Sequence, residues 1–140
     1  MKAAKPLPVA DESSAGYWEA AARSELAMAR CAACGAFAFP PTVVCRACGT
    51  TGPQYAYAIV NGDATIRSWT IVRDAFLPGF ADDVPYLLVD VELDAQPNLR
   101  MIGRLTNGPA TPICIGDRVR VVFDTIGDGV CVPSFRLAQT

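Results

Sequence analysis

A chain of 140 residues, 51% hydrophobic and 19% charged, has the composition of an ordered globular protein with one or two small domains. Its formal net charge of −2 gives no electrostatic help toward a nucleic-acid backbone, and its apolar runs are much too short to span a membrane. It contains no histidine, which removes the usual neutral-pH base, the Ser-His-Asp and Cys-His arrangements, and any histidine metal ligand.

Residues 1–13 carry Pro6 and Pro8 and no periodicity, so a flexible lead-in is expected. Neither an apolar stretch nor a small-residue cleavage site follows Lys2 and Lys5, which predicts no secretory signal and a cytoplasmic location. A short helix is predicted to start near Ser13 or Ser14, either of which can cap it. Tyr17, Trp18, Ala21 and Ala22 then fall on one broad face. About three turns of helix are marginal alone, so this face needs a surface, either this chain's own or a partner's. Tyr17 and Trp18 are therefore candidate contact residues, with core packing as the alternative.

The next stretch organises the chain. Cys31/Cys34 and Cys45/Cys48 form two C-x-x-C pairs with ten residues between them, each pair followed directly by glycine, Gly35 and Gly49. Two such knuckles can bring four thiolates onto one tetrahedral zinc, and a residue without Cβ lets the backbone turn tightly beneath it. A lone C-x-x-C would leave a redox pair as a fair rival; two pairs favour a zinc ribbon, with iron in the same site as a minor rival. Four thiolates fill the coordination shell, so the zinc is expected to be structural. A short strand through Leu26 and Met28 leads into the first knuckle. Phe37 and Phe39 alternate between the knuckles, and Pro40-Pro41 stiffen the path to the second. Thr50-Thr51-Gly52-Pro53 reads as the way out, dividing a helix and ribbon at residues 14–52 from a second domain at 53–140.

That second domain reads as sheet. Tyr55–Val60 is a strand ended by Asn61-Gly62, a strong hairpin signal, with residues 65–72 as the returning strand. Tyr86–Leu93 alternates most cleanly, Leu87, Val89, Val91 and Leu93 against Asp90, Glu92 and Asp94. Residues 99–105 form a further strand. Ile115-Gly116-Asp117 turns into Val119, Val121 and Phe123, and Gly127-Asp128-Gly129 turns into Val130–Leu137. Five or six short strands with no helical pattern between them suggest a small closed barrel of the OB kind. The fold class is thus mainly β: an N-terminal helix, a zinc ribbon and a C-terminal OB-fold β-barrel.

Residues 74–85 make a long connection carrying Phe76, Leu77 and Phe80. These side chains either fold back over the barrel mouth or meet another molecule. Residues 106–112 read as plain linker. Cys114 and Cys131 sit in apolar surroundings and are expected to be buried. Charge is uneven: residues 23–50 hold three arginines and one glutamate, residues 73–97 six acids and one arginine. Arg30 and Arg46 flank the knuckles as candidates for a phosphate or a partner carboxylate, with ordinary solvated arginine as the alternative.

The chain resembles a family of small proteins that join an N-terminal helix and rubredoxin-like zinc ribbon to an OB-fold and associate with thiolase-like enzymes. The resemblance runs from about Tyr17 to Leu137. It is carried by Y-W-E from Tyr17, E-L-A-M-A-R-C-A-A-C-G from Glu25, F-P-P from Phe39 and C-R-A-C-G from Cys45. In the barrel it continues through S-W-T-I-V from Ser68, V-P-Y from Val84, V-E-L-D from Val91 and I-G-D-R-V-R-V-V-F from Ile115. It implies an accessory, non-catalytic subunit in a hetero-oligomer with a thiolase-like partner that carries the reactive residues. The CoA ester would be bound jointly, with Tyr17, Trp18, Phe76, Leu77 and Phe80 as partner or substrate contacts. Relatives that support acyltransferases and steroid side-chain retro-aldolases keep those variants open. Two other classes remain: a nucleic-acid-binding module, disfavoured by the acidity of residues 82–94, and a self-sufficient enzyme using Cys114 or Cys131, disfavoured because neither has an evident base.

Overall fold

The computed structural model describes residues 3–138. In chain order its elements are α1 (Ala15–Ala22), β1 (Leu26–Cys31), β2 (Phe37–Ala38), β3 (Tyr55–Val60), β4 (Asp63–Val72), β5 (Tyr86–Leu93), β6 (Arg100–Arg104), β7 (Arg118–Gly127) and β8 (Val130–Leu137). The mainly β class, with helix, ribbon and barrel in that order, is as the sequence predicts. Lys2 lies outside the described residues, whereas Lys5 is placed and engaged, as described below.

Asp11, rather than a serine hydroxyl, sets the entry to α1. Its carboxylate accepts both the Ser14 hydroxyl and the Ser14 N–H at 2.8 Å, and its carbonyl accepts the Ala15 N–H at 2.9 Å. The Ser14 hydroxyl is thereby turned away from the helix and caps nothing. Tyr17, Ala20 and Ala21 are buried, while Trp18 is half-buried and Ala22 exposed. The packed face is thus rotated from the expected one, with Ala20 in place of Ala22. Gly16 permits the approach: a Cβ there would stand 2.4 Å from the Tyr57 ring, and the Tyr57 hydroxyl donates to the Ser13 carbonyl at 2.5 Å.

β1 is the centre of a three-stranded antiparallel sheet, with β2 on one side and β3 on the other. This corrects the expected hairpin, because β3 pairs with β1 from Leu26↔Val60 to Cys31↔Tyr55 and does not pair with β4. Neither Asn61 nor Gly62 has the positive φ that a two-residue hairpin turn requires. Gly62 serves a different need. A Cβ on it would lie 1.9 Å from Val121 Cγ1, and its carbonyl accepts the Val121 N–H at 2.8 Å. Asn61 instead holds the Asp63 N–H at 3.1 Å.

The second sheet has the order β6-β5-β4-β7-β8. A parallel bridge between Leu105 and Phe135, with the Thr106 N–H donating to the Phe135 carbonyl at 2.8 Å, joins the end of β6 to β8. That is the closure of a five-stranded OB barrel. Inward-facing Gly103 makes room for Phe135, since a Cβ there would meet its ring at 2.8 Å. The alternation expected along β5 holds: Leu87, Val89, Val91 and Leu93 are all buried. One apolar core serves both sheets, because Leu26 and Met28 of β1 and Tyr17 of α1 join the same cluster as Ile66, Val89, Met101 and Phe135.

Candidate metal centre and docking surfaces

The two knuckles are built alike. The Gly35 N–H donates to the Cys31 carbonyl at 2.7 Å, and the Gly49 N–H to the Cys45 carbonyl at 2.8 Å. Both glycines turn at positive φ, 78° and 77°, where a side chain would be strained. The folded-back loops bring the sulfurs of Cys31, Cys34, Cys45 and Cys48 within 4.8 Å of one another, Cys34 and Cys45 to 3.7 Å. Tetrahedral zinc with bonds of ~2.3 Å to sulfur separates its ligands by roughly 3.8 Å, so donor type and spacing both fit the ion. Cys31 and Cys45 are buried, while Cys34 and Cys48 face solvent. The Thr50 hydroxyl, 3.1 Å from Cys48, pulls that thiol down to about 6. The Ala36 amide also pulls on Cys34, but desolvation and the neighbouring thiols outweigh it and push Cys34 up to about 11. Thiols this close resist shedding all their protons together unless a cation shares the charge. Zinc held by these four residues would supply folding free energy and leave no open position for substrate.

The two flanking arginines have different fates. Arg30 donates from Nε to the Gly35 carbonyl at 2.9 Å and lies over the Phe37 ring, 5.1 Å from its centroid. It braces the first knuckle. Arg46 is exposed and lines a cleft of about 570 Å³ between ribbon and barrel, together with Phe39, Gln96, Asn98 and Arg100. Gln96 spans that junction. Its Oε1 accepts the Phe37 N–H at 2.8 Å and its Nε2 donates to the Phe37 carbonyl at 2.9 Å, so one side chain acts as a short strand against β2. Nothing in the sequence marks this residue, because its partner lies 59 positions away.

The loop at 74–85 does both things the sequence left open. Phe76 is 93% exposed and Leu77 59%. Phe80 folds back and, with Trp18, Tyr86 and Leu88, lines a cavity of about 500 Å³. The lead-in fastens this arrangement. Lys5 pairs with Asp83 at 2.6 Å and lies 5.1 Å from the centre of the Phe80 ring. Arg104 reaches the same carboxylate at 3.1 Å and stacks 4.1 Å from the centre of the Tyr86 ring. The hydrogen bond from Lys5, with Arg104 beside it, holds the Asp83 carboxyl below its usual range. Tyr17 is packed inside the core, 7% exposed, against Trp18 and Phe39, so its surface is already covered by this chain.

Cys131 is buried as expected. Cys114 is not: it is exposed and belongs to the turn before β7, where its N–H donates to Asp117 at 2.8 Å. No helix among the described residues is long and apolar enough to cross a membrane.

Residues 18–54 match the family described as ChsH2, rubredoxin-like zinc ribbon domain, and residues 57–124 match ChsH2, C-terminal OB-fold domain. The chain belongs to the ChsH2 family. A chain of the solved Ltp2-ChsH2(DUF35) aldolase is 26% identical to it, with a TM-score of 0.79 over 94% of this chain and 99% of that one. A DUF35-family protein from Sulfolobus solfataricus, 14% identical, shares the fold with a TM-score of 0.56 over 91% of this chain and 86% of that one. Among curated proteins, a probable enoyl-CoA hydratase alpha subunit from Thermomonospora curvata is 28% identical over 137 residues, 98% of this chain and 41% of the relative. The ChsH2-type chain therefore spans about two fifths of the length of that curated relative.

Proposed function

We propose that this chain is a non-catalytic accessory subunit of a thiolase-type enzyme that makes or breaks a carbon–carbon bond beside a CoA thioester. The observation that carries the reading is the tip of the 74–85 loop, where Phe76 and Leu77 stand out in solvent while Asp83 ties the rest of the loop to Arg104 of the barrel and to Lys5 of the lead-in. A rigidly held loop that exposes two large apolar side chains is built to meet another surface. The names of the relatives support the setting: one is an assembly called an aldolase, the other a subunit of an enoyl-CoA hydratase. Each name joins more than one polypeptide; the hydratase name carries the acyl-CoA setting, and the aldolase name favours carbon–carbon chemistry. The zinc ribbon acts here as a brace. It holds β1 and α1 against the barrel and presents Arg46, the arginine that lines the inter-module cleft, to a CoA phosphate.

The experiment replaces Phe76 and Leu77 by serine together and compares complex formation with a co-purified thiolase-like subunit, and CoA-ester turnover, against the unaltered chain. Loss of the complex with a normally folded chain is expected, on the order of tenfold or more in affinity for two truncated apolar anchors. Unchanged complex formation and turnover would remove the reading.

A further inference from the structure

We propose that the open edge of β4, from Trp69 to Ile71, takes an added strand from the partner subunit, so that the two proteins continue one sheet. The proposal rests on the accessory-subunit reading above and names how that docking is made.

β4 runs for ten residues, yet β7 pairs only with Asp63, Ala64 and Thr65. The turn before β7 covers one residue more: the Ile66 N–H donates to Asp117 and the Ile66 carbonyl accepts from Gly116, both at 2.9 Å. Past the bulge at Arg67, β4 has β5 on one side and, among the described residues, no strand on the other. The ladder fixes which backbone groups face outward. Leu105 donates its N–H to the Leu87 carbonyl, and Leu93 its N–H to the Leu99 carbonyl, so alternate residues of β5 turn their polar groups toward β6. Trp69 and Ile71 pair with two of those residues, Val89 and Leu87. They are therefore non-hydrogen-bonded pairs, and Trp69 and Ile71 aim their own N–H and C=O away from β5.

The side chains agree with the backbone. Trp69 and Ile71 share a face with Val89 and Leu87, which are 0% and 2% exposed, yet are themselves 43% and 36% exposed. They are core-facing residues at a place where the core is uncovered. Exposed Ile115, beside the Gly116–Ile66 bond, adds an apolar side chain at one end of the edge, and past Val72 the chain runs on to exposed Phe76 and Leu77. Past the bulge at Arg67, no proline, lysine or other charge interrupts residues 68–72, so those protections of a free edge are missing there.

Charge selects the occupant. The ion pairs Arg67–Glu92, Arg100–Asp90, Arg118–Asp94 and Arg120–Asp63 close on themselves, and Ser68 to Val72 carries no charge. The matching strand is uncharged where it lies along Ser68 to Val72, with apolar residues on the core side, and ends in a carboxylate near Arg73. A second copy centred on Thr70 fits badly, because the register that sets Trp69 opposite Ile71 also sets Arg67 opposite Arg73, and like charges directly opposite are destabilising.

The test uses the full chain with the thiolase-like subunit that co-purifies with it. Ile71→Pro removes an outward N–H that the β4–β5 ladder does not use, whereas Ile71→Ala removes the side chain and keeps that N–H. Strand addition predicts that Ile71→Pro weakens the complex about tenfold more than Ile71→Ala. It also predicts that the Trp69 and Ile71 amides of the unaltered chain exchange about tenfold more slowly in the complex. Equal effects of the two substitutions, with unchanged exchange, overturn strand addition. If Phe76→Ser with Leu77→Ser still breaks the complex, docking itself stands. Concentration-dependent slowing at residues 69 and 71 without the partner assigns the edge to a second copy and overturns the proposal. Failure of any thiolase-like subunit to co-purify sinks the functional reading and this proposal with it. Should Ile71→Pro not fold, as judged by circular dichroism, the exchange measurement on the unaltered complex decides.

Discussion

The ribbon and the barrel hold their shapes by different means. Across residues 32–63, Cys45 is the one buried apolar residue among the described residues; that stretch is ordered by thiol geometry, two glycine turns and a handful of backbone bonds. The barrel has alternating strands around Ile66, Val89, Val91, Met101 and Phe135, all 2% exposed or less. A region without a core of its own stands or falls with its metal, whereas burial of that many apolar side chains sustains a fold by itself. The contrast is not complete, because Leu26 and Met28 enter the barrel core from the sheet that also carries the first cysteine.

The largest effect should come from Cys45→Ser, or from a strong chelator on the unaltered chain. Binding free energies of small zinc modules are on the order of 10–16 kcal/mol, far more than a cluster of backbone bonds can replace, so the knuckles should unfold outright. Amide exchange is the sharpest readout. The Gly35 and Gly49 amides, which close the knuckles, should lose protection, while Val89 and Val91 in the barrel keep theirs. If all four open together, the two regions form one cooperative unit through Leu26 and Met28, and the comparison fails. Elemental analysis of the unaltered protein should return one zinc per chain.

A smaller effect is expected at the junction. Gln96→Ala removes two hydrogen bonds to the Phe37 backbone, a loss of about 1–3 kcal/mol at a typical net value of 0.5–1.5 each. The loss should appear as a lower denaturant midpoint for probes in β2, with probes in β5 unmoved. Equal movement of both would mean that the ribbon and barrel do not separate even when their clasp is cut.

How much of this was legible follows the same division. The barrel strands were readable because half-buried strands alternate, and Leu87 to Leu93 does so without interruption. The metal set was readable because ligand type and spacing are local. What escaped depends on pairing across the chain. Asn61-Gly62 has the composition of a hairpin, but its glycine is needed for contact with Val121, and β3 goes to β1. Gln96 looks like any loop glutamine until Phe37 is placed beside it. Cys114 was expected inside because its neighbours are apolar, yet it sits in a turn whose backbone is held by Asp117. Lys5 reads as part of a loose lead-in, and only the folded loop reveals Asp83 waiting for it.

That last pair gives the smallest predicted effect and the finest contrast with the ribbon. The Asp83 carboxyl is held below its ordinary value of 3.8, first by the Lys5 hydrogen bond and then by Arg104. A carboxylate whose folded pKa is depressed adds stability that is present above its unfolded value and is lost as pH falls through the folded one. Asp83→Asn should therefore loosen residues 74–85 at pH 5 to 8 by about 0.2–1 kcal/mol, the range of partly exposed pairs. The difference from the unaltered chain should vanish well below pH 3.8. Thiolate ligands take up protons and release zinc under far milder acid, so there is an interval in which the ribbon has opened and the loop is still clasped. Amide exchange read separately at residues 35 and 49 and at residues 76–83, stepped downward in pH, should show the two transitions in that order. A single transition would mean that the loop is held through the ribbon and not by Lys5 and Arg104.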